Sequence, residues 1–180
     1  MPPQDQNIAY DFSRLQVLLV EDCAPMRKLF KNVLHALGMK RVVEAKDGTD
    51  ALQALDGYFA DVIFVDQEMT PMNGTDFVRE VRAGTDGINP FTPIIMVSGH
   101  TEVSRILAAR DAGVTEYLAK PISAKLVLSR LRSVVENPRP FIRTEDFFGP
   151  DRRRRQLPFE HAERRKKPHE YVGPFRQSPR

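Results

Sequence analysis

Five polar side chains that could bind a metal ion or a phosphoryl group directly follow short strand-like runs of this chain. In chain order they are Glu21, Asp22, Asp66, Ser98 and Lys120. The runs before them are mostly apolar, as is typical of strands buried on both faces of a sheet. The carboxyl ends of parallel strands lie at one edge of a sheet, where open α/β folds bind their ligands. We therefore predict that these five side chains converge.

A cluster of three carboxylates needs a cation or a shifted pKa, because two carboxylates about 4 Å apart repel by roughly 4 kcal/mol at an effective dielectric constant near 20. Oxygen ligands that leave room for water and phosphate suit Mg²⁺, which is seldom enclosed by protein ligands alone. Lys120 and Ser98 could bind phosphoryl oxygens. Asp66 could attack phosphorus and form an aspartyl phosphate. The sequence thus predicts a phosphoryl and metal site.

The elements that must position these side chains alternate between strand and helix patterns from Gln16 to Glu136. Apolar residues recur at helical spacing between the strand-like runs. Five such βα units predict an α/β fold with a doubly wound parallel sheet. Right-handed crossovers leave few topologies for this sheet, and the flavodoxin-like one is among them.

Over about residues 14–137 the chain resembles the receiver domain of two-component response regulators. The resemblance rests on the five polar positions above, which occur in the family's order and at the family's strand ends. One departure is Met69-Thr70-Pro71, which places proline one position later than the commonest family form. The resemblance implies a flavodoxin-like sheet of five parallel strands in the order 2-1-3-4-5, with helices on both faces.

The resemblance also implies which residues form the acceptor and metal site. Asp66 would be the phosphoacceptor. Glu21, Asp22, Asp66 and the backbone carbonyl of Glu68 would hold Mg²⁺. Glu68 and His100 flank the mouth of the site, and we hypothesise that they tune the lifetime of the phosphoryl group.

Four further roles follow from the same resemblance. Ser98 and Lys120 would bind the phosphoryl oxygens. Tyr117 occupies the family's switch position and would turn inward when Ser98 moves toward the phosphate. The peptide bond before Pro121 would be cis. The face around residues 101–123 would then be the output surface.

The function implied is that of a single-domain response regulator. A sensor histidine kinase or a histidine phosphotransfer protein would donate the phosphoryl group. Signalling would occur through phosphorylation-dependent binding to a downstream protein that the sequence does not identify, and a phosphorylation-dependent dimer is also considered. Such a protein is not an enzyme beyond self-catalysed phosphotransfer and autodephosphorylation.

The last 43 residues differ in composition from the rest of the chain. The chain has 15 basic and 18 acidic residues up to Asn137, and 12 and 6 after it. The tail holds half of the 14 prolines and only eight Leu, Ile, Val or Phe residues, which is too few to support a core. We predict an N-terminal lead-in over 1–13, a receiver domain over 14–137 and a basic, largely disordered tail over 138–180. An ordered start of the tail, at about 141–148, could dock on the domain.

Sequence patterns in the tail suggest two further interpretations of its function. Arginine-rich clusters at 152–155 and 164–167 could indicate a switch that binds nucleic acid, although nucleic acid is the least favoured partner. A short pattern occurs twice, as Phe-Phe-Gly-Pro-Asp-Arg at 147–152 and as Tyr-Val-Gly-Pro-Phe-Arg at 171–176. A repeated pattern of this kind favours docking onto a protein or onto the acidic body.

A phosphohydrolase is the alternative from another functional class. Residues 66–70 superficially match the D-x-D-x-T motif of the haloacid-dehalogenase-like phosphatases, which also form an aspartyl phosphate. That family places its nucleophile after the first strand, whereas Asp66 follows the third strand-like run. Glu68 also stands where that motif has its second aspartate. Both differences disfavour this alternative.

A cytoplasmic location is expected. The single cysteine, Cys23, has no partner for an intrachain disulfide, which fits a reducing compartment. The first residues have neither the basic start nor the apolar run of a signal peptide. No transmembrane segment is expected, because no stretch approaches the roughly 18 apolar residues that suggest a membrane span.

Overall fold

A computed structural model describes residues 10–99, 102–152 and 170–173. Its main sheet has five parallel strands. They are β1 (Gln16–Val20), β2 (Arg41–Ala45), β3 (Val62–Asp66), β4 (Ile94–Ser98) and β5 (Glu116–Ala119). Their order in the sheet is β2-β1-β3-β4-β5, which confirms the predicted flavodoxin-like topology.

Five helices accompany these strands. They are α1 (Ala24–Ala36), α2 (Gly48–Leu55), α3 (Gly74–Ala83), α4 (Val103–Ala112) and α5 (Ala124–Glu136). The side chains of Asp47, Asn73 and Ser123 accept a backbone hydrogen bond at the starts of α2, α3 and α5, which satisfies a donor with no partner inside the helix. None of the helices in the described ranges is long and apolar enough to cross a membrane.

The helices cover both faces of the sheet and create two cores. One core, under α2, α3 and α4, contains Leu18 and Val65. The other, under α1 and α5, contains Leu19 and Phe64. Neighbouring residues of one strand therefore enter different cores, which explains why the central strands are apolar along their whole length. Every residue of β3 is buried, including Asp66 at its end.

Parts of the tail form a second, smaller sheet. β6 (Phe141–Arg143) lies between β7 (Phe148–Pro150) and β8 (Glu170–Val172), and it is antiparallel to both. The described parts of the two copies of the repeated pattern therefore pair with opposite edges of β6. We call residues 138–152 and 170–173 the C-terminal extension. The sequence indicated an ordered start here but not this sheet. Residues 153–169 and 174–180 lie outside the described residues, and they include all of the arginine cluster at 164–167 and all of the cluster at 152–155 except Arg152.

Aromatic rings join the C-terminal extension to the receiver body. Phe91, in the loop before β4, lies 5.2 Å from Phe141 and 5.4 Å from Phe148 between ring centroids, in edge-to-face geometry. Such pairs stabilise by roughly 0.5–1.5 kcal/mol beyond the area that they bury. At the surface, Arg152 forms an ion pair of 3.2 Å with Asp111. The extension is thus a packed part of the structure.

Arg82, at the end of α3, is buried beneath this contact. Its guanidinium donates hydrogen bonds to the backbone carbonyls of Gly113, Pro90 and Thr92 at 2.9, 2.7 and 2.8 Å. Burial lowers the pKa of Arg82 to about 9, so the group remains charged at neutral pH. The Phe141 ring centroid lies 5.1 Å from its central carbon, a cation–π contact. Arg82 thus ties α3 to the segments before β4 and β5.

Candidate functional site

Three acidic residues meet at the carboxyl edge of the main sheet. Asp66 is the last residue of β3, and Glu21 and Asp22 directly follow β1. Because β1 and β3 are neighbours in the sheet, their ends bring the three side chains together. One carboxylate oxygen from each lies within 4.8 Å of the others. Glu21 and Asp66 are buried, whereas Asp22 is exposed.

A lysine reaches this cluster from β5. Lys120 follows the last residue of that strand, and its Nζ lies 2.9 Å from Asp66 Oδ1 and 3.2 Å from Glu21 Oε2. Its backbone N–H donates to the carbonyl of Ser98 at 2.8 Å, so the ends of β4 and β5 are joined. The structure therefore brings together Glu21, Asp22, Asp66 and Lys120. Ser98 is buried at the end of β4, the strand between those that position Asp66 and Lys120.

Burial and repulsion disfavour ionised acids in this cluster. Burial raises the pKa of Asp66, and the Asp22 charge adds to the rise, while Lys120 opposes it. Burial also raises the pKa of Glu21, as does the charge of Asp66. For Lys120, burial is the largest influence and lowers the pKa, but Asp66 and Glu21 together raise it above its usual value. A further cation would relieve the unfavourable charge, and the all-oxygen donor set fits Mg²⁺.

An ion pair that the sequence did not predict lies at the mouth of the site. Glu68, two residues after Asp66, pairs with Arg105 in the first turn of α4. Arg105 also lies 3.6 Å from Glu102. Only the opposite charges could have signalled this pairing. His100 lies outside the described residues, so the structure gives no position for the second residue of the lifetime hypothesis.

The side chain of Gln67 forms a second link that the sequence analysis missed. Its Oε1 accepts a hydrogen bond from the Tyr117 hydroxyl at 2.9 Å. Its Nε2 donates to the backbone carbonyl of Arg105 at 3.5 Å. Gln67 is buried and Tyr117 is half-buried. An amide directly after Asp66 was the available signal, although its partners could not be read from the sequence.

The loop after Asp66 is held tightly against α3. The backbone N–H of Gly74 donates to the carbonyl of Gln67 at 3.0 Å. A Cβ at position 74 would lie only 2.1 Å from the backbone oxygen of Asp66, so this approach requires glycine. The Thr70–Pro71 bond in this loop and the Lys120–Pro121 bond are both cis.

An open cleft lies beside the acid cluster. Its volume is about 560 Å³, and its lining includes Asp22, Glu68, Asn73 and Arg105. The cleft lies between the loop after β3, the start of α3 and the first turn of α4. Through Asp22, the cleft borders the acid cluster at the carboxyl edge of the sheet.

Comparison with known proteins agrees with this geometry. Residues 17–132 match the response regulator receiver domain family. The chain is 34% identical over 122 residues to the chemotaxis protein CheY of Pseudomonas aeruginosa, a match that covers 68% of this chain and 97% of that protein. It is 36% identical over 123 residues to CheY1 of Helicobacter pylori strain J99, with 67% and 97% covered.

Solved structures show the same similarity. CheY4 of Vibrio cholerae superposes with a TM-score of 0.62 at 32% identity, and the match covers 67% of this chain and 98% of that one. A CheY-like receiver domain protein of Methanospirillum hungatei gives a TM-score of 0.61 at 20% identity, with 68% and 94% covered, and supports the fold alone. The matched region ends before the C-terminal extension. The sheet order, the acid cluster with its lysine and these matches together show that the chain belongs to the response regulator receiver domain family.

Proposed function

We propose that this chain is a response regulator in which Asp66 accepts a phosphoryl group from a phosphohistidine of a sensor histidine kinase or a histidine phosphotransfer protein. The observation that carries the proposal is the convergence of three carboxylates and Lys120 at one edge of the sheet, with the lysine 2.9 Å from Asp66. Aspartate nucleophiles of this kind form acyl phosphates. The open cleft that Asp22 lines leaves space beside the site for an imidazole-bound phosphoryl group.

In the proposed transfer, an Asp66 carboxylate oxygen forms a bond to phosphorus as the bond from phosphorus to the donor imidazole nitrogen breaks. The electron pair of that bond stays on the imidazole. Lys120 orients the Asp66 carboxylate through the contact at 2.9 Å and then binds a phosphoryl oxygen, as does Ser98. Most of the catalysis consists of this positioning and charge neutralisation.

The metal in this proposal is Mg²⁺. Glu21, Asp22, Asp66 and the backbone carbonyl of Glu68 would hold it. When bound, Mg²⁺ supplies positive charge for the three acids and for the phosphoryl oxygens. Burial and mutual repulsion raise the pKa of Glu21 and of Asp66, and this supports the assignment, because a bound cation would offset the cost of ionising them.

The lifetime of the acyl phosphate depends on how water reaches it. We propose that Glu68 and His100 set this access. The contact between Glu68 and Arg105 supports a part for Glu68, because it places a charged pair over the mouth of the site. Dephosphorylation rates that are the same in wild type, Glu68→Asn and His100→Glu would refute this role.

Output would occur through protein binding on the face around residues 101–123. Three apolar side chains of α4 in this region, Val103, Ile106 and Leu107, are exposed. Exposed apolar side chains on one short helix suit binding to another protein. A downstream protein or a second phosphorylated copy would bind there. In this proposal the protein acts by binding, without turnover of a substrate.

The experiment that tests the proposal is intact-protein mass spectrometry after incubation with acetyl phosphate and Mg²⁺. Wild type should gain the mass of one phosphoryl group. Asp66→Ala should gain none, and Asp56→Asn, a control at an exposed acid on the C-cap of α2, should behave as wild type. A folded wild type without the gain, or an Asp66→Ala variant with it, would refute the assignment. Turnover of p-nitrophenyl phosphate would instead support the phosphohydrolase.

A further inference from the structure

The residue directly after the acceptor connects three parts of the domain. The Gln67 side-chain amide accepts from the Tyr117 hydroxyl of β5 at 2.9 Å and donates to the Arg105 carbonyl of α4 at 3.5 Å. Its backbone N–H donates to the carbonyl of Val97 in β4 at 2.9 Å. Gln67 therefore contacts β4, β5 and the first turn of α4 while it is covalently bound to Asp66.

An amide suits this place because it offers an acceptor and a donor at once. Gln67 is 7% exposed, so an apolar side chain there would leave the Tyr117 hydroxyl without this acceptor. Tyr117 itself is half-buried, and its ring packs against the core under α2, α3 and α4. The hydrogen bond thus favours the packed position of the ring over one in solvent.

We propose that Gln67 is a positioning residue that keeps the Tyr117 ring packed before phosphorylation and so sets the basal signalling level of the protein. The proposal rests on the switch role of Tyr117 under the proposed function. A single hydrogen bond makes a modest net contribution, which corresponds to roughly a 2- to 10-fold change in the ratio of packed to exposed rings. Gln67 would therefore shift the equilibrium of the Tyr117 ring toward the packed position without fixing the ring there.

The test is ¹⁹F NMR of the full chain labelled with 3-fluorotyrosine, in the absence of any phosphodonor. The chain has four tyrosines and no tryptophan, and Tyr117→Phe assigns the Tyr117 resonance. The solvent isotope shift between H₂O and D₂O reports the exposure of each ring. Tyr171, 54% exposed, is the exposed reference. Tyr58, whose hydroxyl bonds to backbone carbonyls, reports that the fold is intact.

Three variants are compared for the exposure of Tyr117. Gln67→Met removes both hydrogen bonds at similar length, and the exposed fraction of Tyr117 should rise roughly 2- to 10-fold. Gln67→Glu keeps an oxygen for the tyrosine hydroxyl, so Tyr117 should stay packed. Gln53→Met makes the same substitution at an exposed glutamine of α2 and should leave Tyr117 as in wild type.

An unchanged solvent isotope shift of Tyr117 in Gln67→Met, with the Tyr58 resonance at its wild-type position, would overturn the proposal. Equal exposure of Tyr117 in Gln67→Glu and Gln67→Met would also overturn it. If Gln67→Met disturbs Tyr58, Gln67→Leu is judged by the same criterion. Failure of Asp66 phosphorylation is detected separately by mass, because the NMR comparison uses no phosphodonor.

Discussion

Substitution of Gly74 tests how closely Asp66, the proposed acceptor, must be held. In Gly74→Ala the new Cβ would lie 2.1 Å from the Asp66 backbone oxygen, whereas an ordinary contact is 3.4 Å or more. The two backbones must therefore separate by about 1.3 Å. Overpacking of this kind costs about 1–3 kcal/mol of unfolding free energy. A displacement of about 1 Å at a reacting group can also slow a reaction by about 100-fold.

Gly57→Ala is the matched control, since a Cβ at position 57 would have no neighbour within 4 Å. The assays are urea denaturation and the rate of mass gain with acetyl phosphate and Mg²⁺. We expect Gly74→Ala to lose stability and to phosphorylate about 100-fold more slowly, with Gly57→Ala close to wild type in both. A Gly74→Ala protein within about 0.5 kcal/mol of wild type and phosphorylated at the wild-type rate would refute the reasoning.

Four more perturbations act on the site and on the C-terminal extension. Lys120→Met should slow acceptance of the phosphoryl group by about 100-fold or more, because this loss is typical when a group that stabilises developing charge is removed. The time course of mass gain measures this rate. Mg²⁺ should raise the Tm of wild type through binding to the folded state but have a much smaller effect on Asp22→Asn; equal shifts in a thermal melt would argue against Asp22 as a ligand. Without metal, the folded protein binds the protons of Glu21 and Asp66 more tightly than the unfolded chain does, because the fold raises the pKa of both carboxyls. The free energy of unfolding therefore falls as the pH rises above the pKa values of the unfolded chain, which are near 4. Asp66→Asn should therefore gain stability relative to wild type between about pH 4 and 7 in urea melts with EDTA, and a constant difference would contradict the raised pKa. Phe141→Ala should cost about 3 kcal/mol of unfolding free energy, and a loss below about 0.5 kcal/mol would show that the extension contributes little.

The sheet and most of the candidate site could be predicted because the apolar runs mark the strands and the site residues directly follow them. The apolar runs before Glu21 and Asp66 form buried strands, and parallel pairing then places the two acids at one edge. Lys120 was predictable for the same reason. In each case local sequence determines the element, and the topology of a doubly wound sheet determines where its end lies.

The remaining features depend on side-chain packing between distant segments. The three-residue strands of the extension are too short to show a period, and β8 pairs with a strand that ends 27 residues before it. The burial of Arg82 could not be read from a basic residue on a helix, because the carbonyls that bind it come from two separate loops. The Gln67–Tyr117 contact likewise spans 50 residues of sequence.

The contact around Arg82 lies at the far end of the sheet from Asp66. The carbonyls that bind Arg82 precede β4 and β5, whereas Ser98 and Lys120 lie at the other ends of these strands, roughly 15 Å away at about 3.3 Å per residue. The described part of the C-terminal extension therefore offers a contact surface at the opposite end of these strands from the three carboxylates and Lys120. Under the proposed function, a phosphodonor and a partner bound to the extension approach opposite ends of the sheet.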